Sequence, residues 1–300
     1  MRRVFRIGSP LLVLLLFTTV IYGGSRYRQS KETRQALYDA FEPVKVTNCE
    51  LQRFGDAHDG GYLLCANWLP GAQVAYSYGI NGADNWGCQV SKALNIPVHQ
   101  YDCFNTSVPG CAKDAIFHAE CVGPERATIE NRPFDSVANQ VAKNGDAGKR
   151  IVMKMDVEGS EWASLLASPD DVLDRIDQMA VEFHEVENPA FLATIERLKR
   201  FFHVAHVHVN NYNCDAGFDP FPGQVFEALL VNKRLAQIDP SIRGRNLSPL
   251  DAPNLPERPD CQASPGGSEL ARIGRWTRRI ARAWSERQYN DWKDRLLPPY

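Results

Sequence analysis

Apolar residues recur along the middle of the chain in short runs that alternate with segments of helical spacing. The runs predict seven strands, at 74–78, 96–101, 117–122, 151–155, 179–184, 204–209 and 225–231. The segments between them predict helices at 86–94, at 134–143, from 161 to 166 and at 191–202. Strands that alternate with helices predict an α/β fold with a mostly parallel sheet covered on both faces.

The amino-terminal part of the chain has a different character. An uncharged apolar run occupies 7–24, and about 18 residues is the lower limit for a helix that spans a bilayer. We interpret residues 1–25 as a signal-anchor or transmembrane segment that holds the protein to a membrane; a cleaved signal peptide is the alternative. Residues 26–43 are polar and charged, and they are interpreted as a stalk.

The carboxyl-terminal part also differs from the middle. The folded domain is predicted at 44–234, because prolines become frequent in the segment 235–268, which reads as a linker. Residues 269–300 predict a basic amphipathic helix. Such a helix either lies on an anionic membrane surface or packs its tryptophans on the domain.

Composition narrows the class of protein. The 300 residues are 44% hydrophobic, which is enough for a sizeable core, and the net charge of -2 gives no general attraction to nucleic acid. Eight cysteines without paired CxxC spacing argue against a zinc site and favour an oxidising, lumenal or extracytoplasmic compartment of the Golgi or ER type. Buried thiols in a cytoplasmic orientation are the alternative.

Two predicted strands run into turns that are typical of cofactor sites. The first strand is followed by Gly79, Asn81 and Gly82, and the second ends at Asp102. Glycines allow the backbone to approach a ligand closely. An acid at the end of the second strand has the reach to accept hydrogen bonds from a ribose diol. Asp84 is a candidate to pair with a positive charge on the cofactor. These residues predict a nucleotide-like cofactor at this edge of the sheet.

A second set of ionisable residues follows the fourth and fifth predicted strands. Asp156 is the first candidate for a base or an acceptor-orienting group, and Glu158 shares its direction if the strand persists. Glu161 either joins the site or caps the following helix. His184 ends the next strand, and a neutral imidazole is suited to accept a proton near physiological pH.

The same acidic and imidazole side chains could bind a divalent cation, but the sequence does not predict a required metal. Asn210 and Asn211 end the sixth predicted strand, after His206 and His208. These four side chains are candidates for hydrogen bonds to a polyol acceptor.

Five motifs follow one another along the chain: D-G-G-Y at 59–62, S-Y-G-I at 77–80, Asp102, K-M-D-V-E-G-S-E at 154–161 and E-F-H at 182–184. In this order, they resemble those of the FkbM-type methyltransferases, and more narrowly of a membrane-anchored methyltransferase-like branch. The resemblance covers about 44–233. It implies a class I, Rossmann-like sheet of seven strands whose last strand is antiparallel, with S-adenosyl-L-methionine as cofactor. The implied reaction is methylation of an oxygen on a glycan or another hydroxyl-bearing small molecule.

The chain departs from the commoner class I turn at two positions. Ser77 stands where that turn has an acid, and Asn81 stands where it has a glycine. A non-catalytic secretory binding domain that kept the fold is therefore an alternative. A nicotinamide-dependent oxidoreductase is another, although the missing G-x-G-x-x-G pattern argues against it.

Overall fold

The computed structural model describes residues 27–110, 114–245 and 248–261, with the short pieces 273–274 and 277–278. The predicted membrane anchor at 7–24 and most of the predicted helix at 269–300 lie outside these residues. Among the described helices, none is both long enough and apolar enough to cross a membrane.

The described part of the chain alternates between strands and helices. Its strands are β1 (Val44–Val46), β2 (Leu51–Gly55), β3 (Gly61–Cys65), β4 (Val74–Tyr78), β5 (Val98–Tyr101), β6 (Ala115–His118), β7 (Cys121–Val122), β8 (Ala127–Ile129), β9 (Arg132–Asp135), β10 (Ile151–Asp156), β11 (Ile176–His184), β12 (Phe202–Val209), β13 (Val225–Asn232) and β14 (Ile238–Arg243). Its helices are α1 (27–40), α2 (Asn85–Leu94), α3 (Val137–Lys143), α4 (Glu161–Ala167), α5 (Asp170–Arg175) and α6 (Phe191–Phe201).

Seven strands form the main sheet in the order β12-β13-β11-β10-β4-β5-β6. All neighbours are parallel except β13, which runs antiparallel to both β11 and β12. The prediction of an α/β fold with a seven-stranded, mostly parallel sheet is confirmed, and it is compatible with a Rossmann-like fold. In such a sheet, ligands bind at the carboxyl ends of the parallel strands.

Two predicted elements were wrong in detail. The predicted strand at 117–122 is divided, because the chain leaves the main sheet after β6 and β7 instead pairs with β9 in a separate three-stranded sheet. The predicted helix at 134–143 begins only at Val137, because 132–135 form β9. Ser136 sets this start, since its hydroxyl accepts a hydrogen bond from the backbone N–H of Asn139.

Apolar clusters cover the sheet on both faces. On one face, α1, α4 and α6 pack on the central strands, and on the other the β2–β3 hairpin and α2 do so. β4, β10 and β11 are buried along nearly their whole length, which explains why their sequences are continuous apolar runs.

The segment interpreted as a stalk forms α1 and belongs to the folded unit. Phe41, just after the helix, is fully buried, and its ring lies 4.9 Å from that of Phe183 and 4.8 Å from that of Phe226. Arg34 is 1% exposed, pairs with Glu187 and donates to the backbone carbonyl of Asp219. Helical periodicity alone does not show which apolar face has a partner, so the sequence did not reveal this packing.

Further connections tie later segments to the domain. β14 lies within the segment predicted to be a linker, yet it pairs antiparallel with β1. Disulfides join Cys49 to Cys65, Cys103 to Cys121 and Cys214 to Cys261. Cys88 is also disulfide-bonded, and no described cysteine is free.

Replacing Phe41 by Ala tests whether α1 is integral to the core. Loss of a fully buried aromatic side chain should lower the free energy of unfolding by about 3–5 kcal/mol, measured by urea denaturation. Phe104, which is 53% exposed, provides the control, and Phe104→Ala should change this free energy by about 0.5 kcal/mol or less. Similar small effects of both substitutions would show that α1 does not stabilise the domain.

Candidate functional site

One cleft of about 1980 Å³ opens at the carboxyl ends of the central parallel strands. It brings the two predicted groups together, because its lining includes Gly79, Asn81, Asp84, Asp102, Asp156, Glu158, His184, Asn210 and Asn211. Gly82 is not among the lining residues; a Cβ atom there would lie 2.7 Å from the side-chain nitrogen of Asn105. The cleft therefore joins the predicted cofactor region to the predicted reaction centre.

The glycine at the end of β4 has a structural cause. Gly79 has a φ of +72°, and a Cβ atom at this position would lie 1.5 Å from the backbone oxygen of Asp156. Its N–H donates to the carbonyl of Tyr101 on the neighbouring strand. The glycine is thus required for contact between strand ends, whether or not a cofactor approaches the turn.

Asp102 organises the loops on either side of it. Its carboxylate accepts hydrogen bonds from the backbone N–H groups of Asn81 at 2.7 Å, Phe104 at 2.8 Å and Asn105 at 3.0 Å. Of these three hydrogen bonds, Asp102 Oδ2 accepts the one from Asn81. Since a carboxylate oxygen can accept more than one hydrogen bond, Oδ2 has capacity left. Asp102 can therefore hold its loops and still accept from a ligand hydroxyl.

Asp84 is also engaged inside the protein. It caps α2 by accepting from the N–H of Gly87 at 2.8 Å, and its second oxygen accepts from the side chain of Gln100 at 2.8 Å. It is 6% exposed, yet it lines the cleft. Its negative charge lies at the positive end of the helix, which satisfies the backbone donors there.

A row of ionisable side chains crosses the sheet beside this cleft. Asp156 on β10 is in register with Glu182 on β11, Glu182 with Glu227 on β13, and Glu227 with His208 on β12. Glu182 and Glu227 are 5% and 8% exposed. Burial and the neighbouring Asp156 charge raise the pKa of Glu182 above its ordinary value. We call these four residues the cross-sheet row.

Two side chains position Asp156 at the end of this row. The hydroxyl of Tyr62 donates to Asp156 Oδ2 at 3.1 Å, and Lys154 Nζ lies 3.4 Å from the same oxygen. Lys154 also donates to the carbonyls of Tyr78 and Gly79, at 3.3 and 2.6 Å. This buried lysine therefore ties the end of β4 to the end of β10 and leaves Asp156 Oδ1 directed away from these donors.

Carboxylates surround His184. Nδ1 lies 3.3 Å from Glu161, and Nε2 lies 3.4 Å from Glu182, 3.6 Å from Glu158 and 3.9 Å from Asp156. Burial alone would disfavour the charged ring, but Glu161 and Glu182 hold the pKa of His184 well above its ordinary value. An imidazole that keeps its proton at neutral pH is a poor base, so the base role expected for His184 does not fit this setting.

Glu161 is not among the residues that line the cleft, and its negative charge lies in the first turn of α4, where the helix dipole favours it. It is fully buried and accepts from the N–H of Gly159 at 2.9 Å and from the N–H of His184 at 2.7 Å. Glu158, with φ of +55° and 69% side-chain exposure, instead projects towards solvent at the cleft. Asp156, Glu158 and His184 each offer one ligand atom within 4.8 Å of the others, so this set could hold a metal ion.

The asparagines that end β12 have different roles. Asn211 is 1% exposed, and its side chain bonds the backbone of Leu255 through both its oxygen and its nitrogen. Its nitrogen also lies within hydrogen-bonding distance of the carbonyls of Arg258 and Pro259. Asn210 lies 3.3 Å from Glu182. The expected acceptor-binding role therefore does not fit Asn211, whose polar atoms are used by the protein.

Asn211 fastens a segment that we call the C-terminal strap, residues 248–261. His206 contacts Asp251 at 2.8 Å, and His208 contacts Asp260 at 3.2 Å. Asn254 donates to Glu227 at 2.7 Å, and a disulfide joins Cys261 to Cys214. The strap lines one wall of the cleft with Arg258–Cys261.

Three residues in this region were not among the predicted site residues: Tyr62, Lys154 and Glu182. Glu182 had a usable signal, because strand alternation places it on the same face as His184. Tyr62 had no such signal, because its contact with Asp156 joins residues 94 positions apart.

Comparison of the chain with protein-family models gave no match, and comparison with curated proteins also gave none. The resemblance to FkbM-type methyltransferases therefore stays a prediction based on the motifs.

Gly79→Ala should be far more destabilising than Gly145→Ala. Gly145 has nearly the same φ, +74°, but no atom lies within 4 Å of its Cβ position. The left-handed backbone alone should lower the free energy of unfolding by about 1–2 kcal/mol in both variants. Overlap with Asp156 should add about 1–3 kcal/mol in Gly79→Ala, measured by denaturant titration. Equal losses would contradict the proposed contact between strand ends.

Stability should fall as pH rises from about 6.5 to 9. Burial disfavours charge on His208, but Glu227, Asp251 and Asp260 raise its pKa to about 9, above the ordinary value of about 6.5 that it has in the unfolded chain. The stabilisation is complete below pH 6.5 and is lost as the folded protein deprotonates, by up to about 3 kcal/mol. Urea unfolding at several pH values should show this slope. His208→Gln should reduce it by the share of His208, while the share due to the raised pKa of His184 remains.

His206→Gln is the matched control, because it also removes a contact with the strap but keeps His208. A slope that persists unchanged in His208→Gln would show that another group causes it.

Proposed function

We propose that the protein is an S-adenosylmethionine-dependent methyltransferase that methylates an oxygen of a glycan or another hydroxyl-bearing acceptor. The observation that carries this proposal is the single cleft shared by Gly79 and Asp102 on one side and Asp156 on the other. Its position at the carboxyl ends of the parallel strands, in a sheet whose last strand is antiparallel, is what a class I methyltransferase would need.

The charge of the cleft supports this cofactor over a dinucleotide. S-adenosylmethionine carries a sulfonium and an ammonium group, and acids including Asp84, Asp102 and Asp156 line the cleft. A dinucleotide would place its diphosphate at the amino end of the helix after β4, where backbone N–H groups bind it. In this protein Asp84 already caps that helix, and its negative charge would repel a diphosphate.

The remaining parts of the cofactor also have plausible partners. Asp102 Oδ2 can accept from a ribose hydroxyl in addition to the N–H of Asn81. Apolar side chains next to it, from Phe104, Val122 and Phe134, line the same cleft and would hold a flat base.

Asp156 is the group best placed to handle the acceptor. When bound, S-adenosylmethionine supplies an electrophilic methyl group on sulfur. Asp156 Oδ1 accepts the hydrogen of the acceptor hydroxyl, orients its oxygen and takes the proton. Tyr62 and Lys154 fix the other oxygen of this carboxylate, so its orientation is set before the acceptor binds. The strap forms one wall of the cleft beside this acid.

The membrane anchor and lumenal placement belong to the same proposal. We propose that residues 7–24 hold the protein to a membrane and that the domain lies in an oxidising compartment. The disulfides between Cys49 and Cys65, Cys103 and Cys121, and Cys214 and Cys261 support this placement, since such bonds persist in secretory compartments.

Calorimetry and a transfer assay test the division of roles. S-adenosylhomocysteine should bind the wild-type protein, and Asp102→Asn should weaken this binding by about tenfold or more, the effect of losing about 1.4 kcal/mol. Asp156→Asn should leave the affinity within about threefold but reduce labelled-methyl transfer to a sugar, lipid and peptide panel by about 10²-fold or more.

Thermal unfolding of each variant provides the control, because Asp102 also holds its loops. Equal loss of cofactor binding in both variants would contradict the proposed roles. A folded wild-type protein that binds no sulfur ligand would favour the non-catalytic binding domain, and binding of NAD instead would favour an oxidoreductase.

A further inference from the structure

Three ligand atoms from different turns converge at the acceptor side of the cleft, and their chemistry suits a metal ion. Asp156 ends β10, Glu158 lies in the turn after it, and His184 ends the adjacent strand β11. We propose that these three side chains bind a divalent cation of the Mn²⁺ type. This inference does not depend on methyl transfer, because a protein of either class could hold the ion.

The spacing of the ligand atoms fits a shared ion better than direct hydrogen bonds. His184 Nε2 lies 3.6 Å from Glu158 Oε2 and 3.9 Å from Asp156 Oδ1. A hydrogen bond from a charged ring to a carboxylate is normally about 2.7–2.9 Å long. Ligands that each lie about 2.0–2.2 Å from one metal are about 3–4 Å apart at ordinary coordination angles, and both His184 distances fall in this range.

A buried acid outside the ligand set orients the histidine. Glu161 is fully buried and lies 3.3 Å from His184 Nδ1. It also accepts a hydrogen bond from the backbone N–H of His184 at 2.7 Å. This arrangement turns Nε2 towards Glu182, Glu158 and Asp156. Because a ligand nitrogen must be deprotonated, a bound dication would displace the proton from Nε2. Histidines that bind metals almost always present their second nitrogen to a carboxylate or carbonyl in this way, which fixes the ring and strengthens it as a ligand.

The local charge favours a dication. Four carboxylates surround the imidazole, those of Asp156, Glu158, Glu161 and Glu182. Lys154 is the basic side chain bound to Asp156, but its nitrogen is also held by the backbone carbonyls of Tyr78 and Gly79. Concentrated negative charge that is partly buried is unfavourable unless it is paired or coordinates a metal.

The donor set indicates the kind of ion. Two carboxylates suit hard cations such as Mg²⁺ and Mn²⁺, whereas an imidazole favours a transition metal, so Mn²⁺ satisfies both. Three protein ligands leave coordination positions open, and Glu158 is 69% exposed at the cleft. An open position there would let a hydroxyl-bearing molecule reach the ion. A carboxylate oxygen has more than one lone pair, so Asp156 Oδ1 can bind the ion and still accept from this hydroxyl.

Titration of the purified, metal-stripped full-length chain with Mn²⁺ tests the site. Electron paramagnetic resonance should show loss of the free Mn²⁺ signal as one ion binds. Glu158→Gln should weaken this binding at least tenfold without affecting folding, because its side chain is exposed. Asp215→Asn, which removes another acid from the cleft lining, is the matched control and should change the affinity less than twofold.

Two further measurements separate a built site from general attraction to acids. Electron spin-echo modulation should detect a nitrogen coupled to the bound Mn²⁺, and His184→Asn should abolish this coupling. Glu161→Gln should weaken binding by about 10–100-fold, because it removes the acid that orients the ring. Binding that lacks nitrogen coupling, that is equally strong in Glu158→Gln, or that does not occur below millimolar Mn²⁺ would overturn the proposal.

Discussion

The rest of the structure depends on the need to partner three acids that lie side by side in the middle of a sheet. Asp156, Glu182 and Glu227 are in register on adjacent strands, where like charges oppose folding unless each is compensated. The compensating groups come from different parts of the chain. Tyr62 of the β2–β3 hairpin reaches Asp156, and Asn254 of the strap reaches Glu227. Segments far apart in sequence are therefore held over the same edge of the sheet.

The central sheet could be predicted because its signal is local. β4, β10 and β11 are buried on both faces, so their residues form continuous apolar runs that stand out in the sequence. The surrounding elements were harder, because their stability depends on long-range contacts. Phe41 would be equally apolar in an exposed stalk and in a core. Only its contacts with aromatic rings on other elements show that it belongs to the core. The last two residues of β9, 134 and 135, were assigned to the following helix because so short a strand has no period of its own.

For the candidate site, the sequence indicated where the residues lie but not how they are protonated or hydrogen-bonded. Strand ends indicated where Asp156, Glu158 and His184 would lie, and these residues do meet in one cleft. Their chemical states could not be predicted, because those depend on neighbours from other elements. His184 reads as an ordinary titratable histidine in the sequence, but Glu161 and Glu182 raise its pKa against the effect of burial. Asp102 likewise reads as a free acid, whereas the fold uses it to fix two loops.

The place of β13 in the sheet also constrains the order of folding. β13 separates β11 from β12, although it is made after both, so β12 has no neighbour in the main sheet until β13 has been synthesised and has entered between them. On a ribosome, the half of the sheet from β6 to β11 can assemble first, while β12 has no strand paired to either edge. Such an edge can pair with other chains, so a chaperone that covers β12 during translation would protect the protein at its most vulnerable stage.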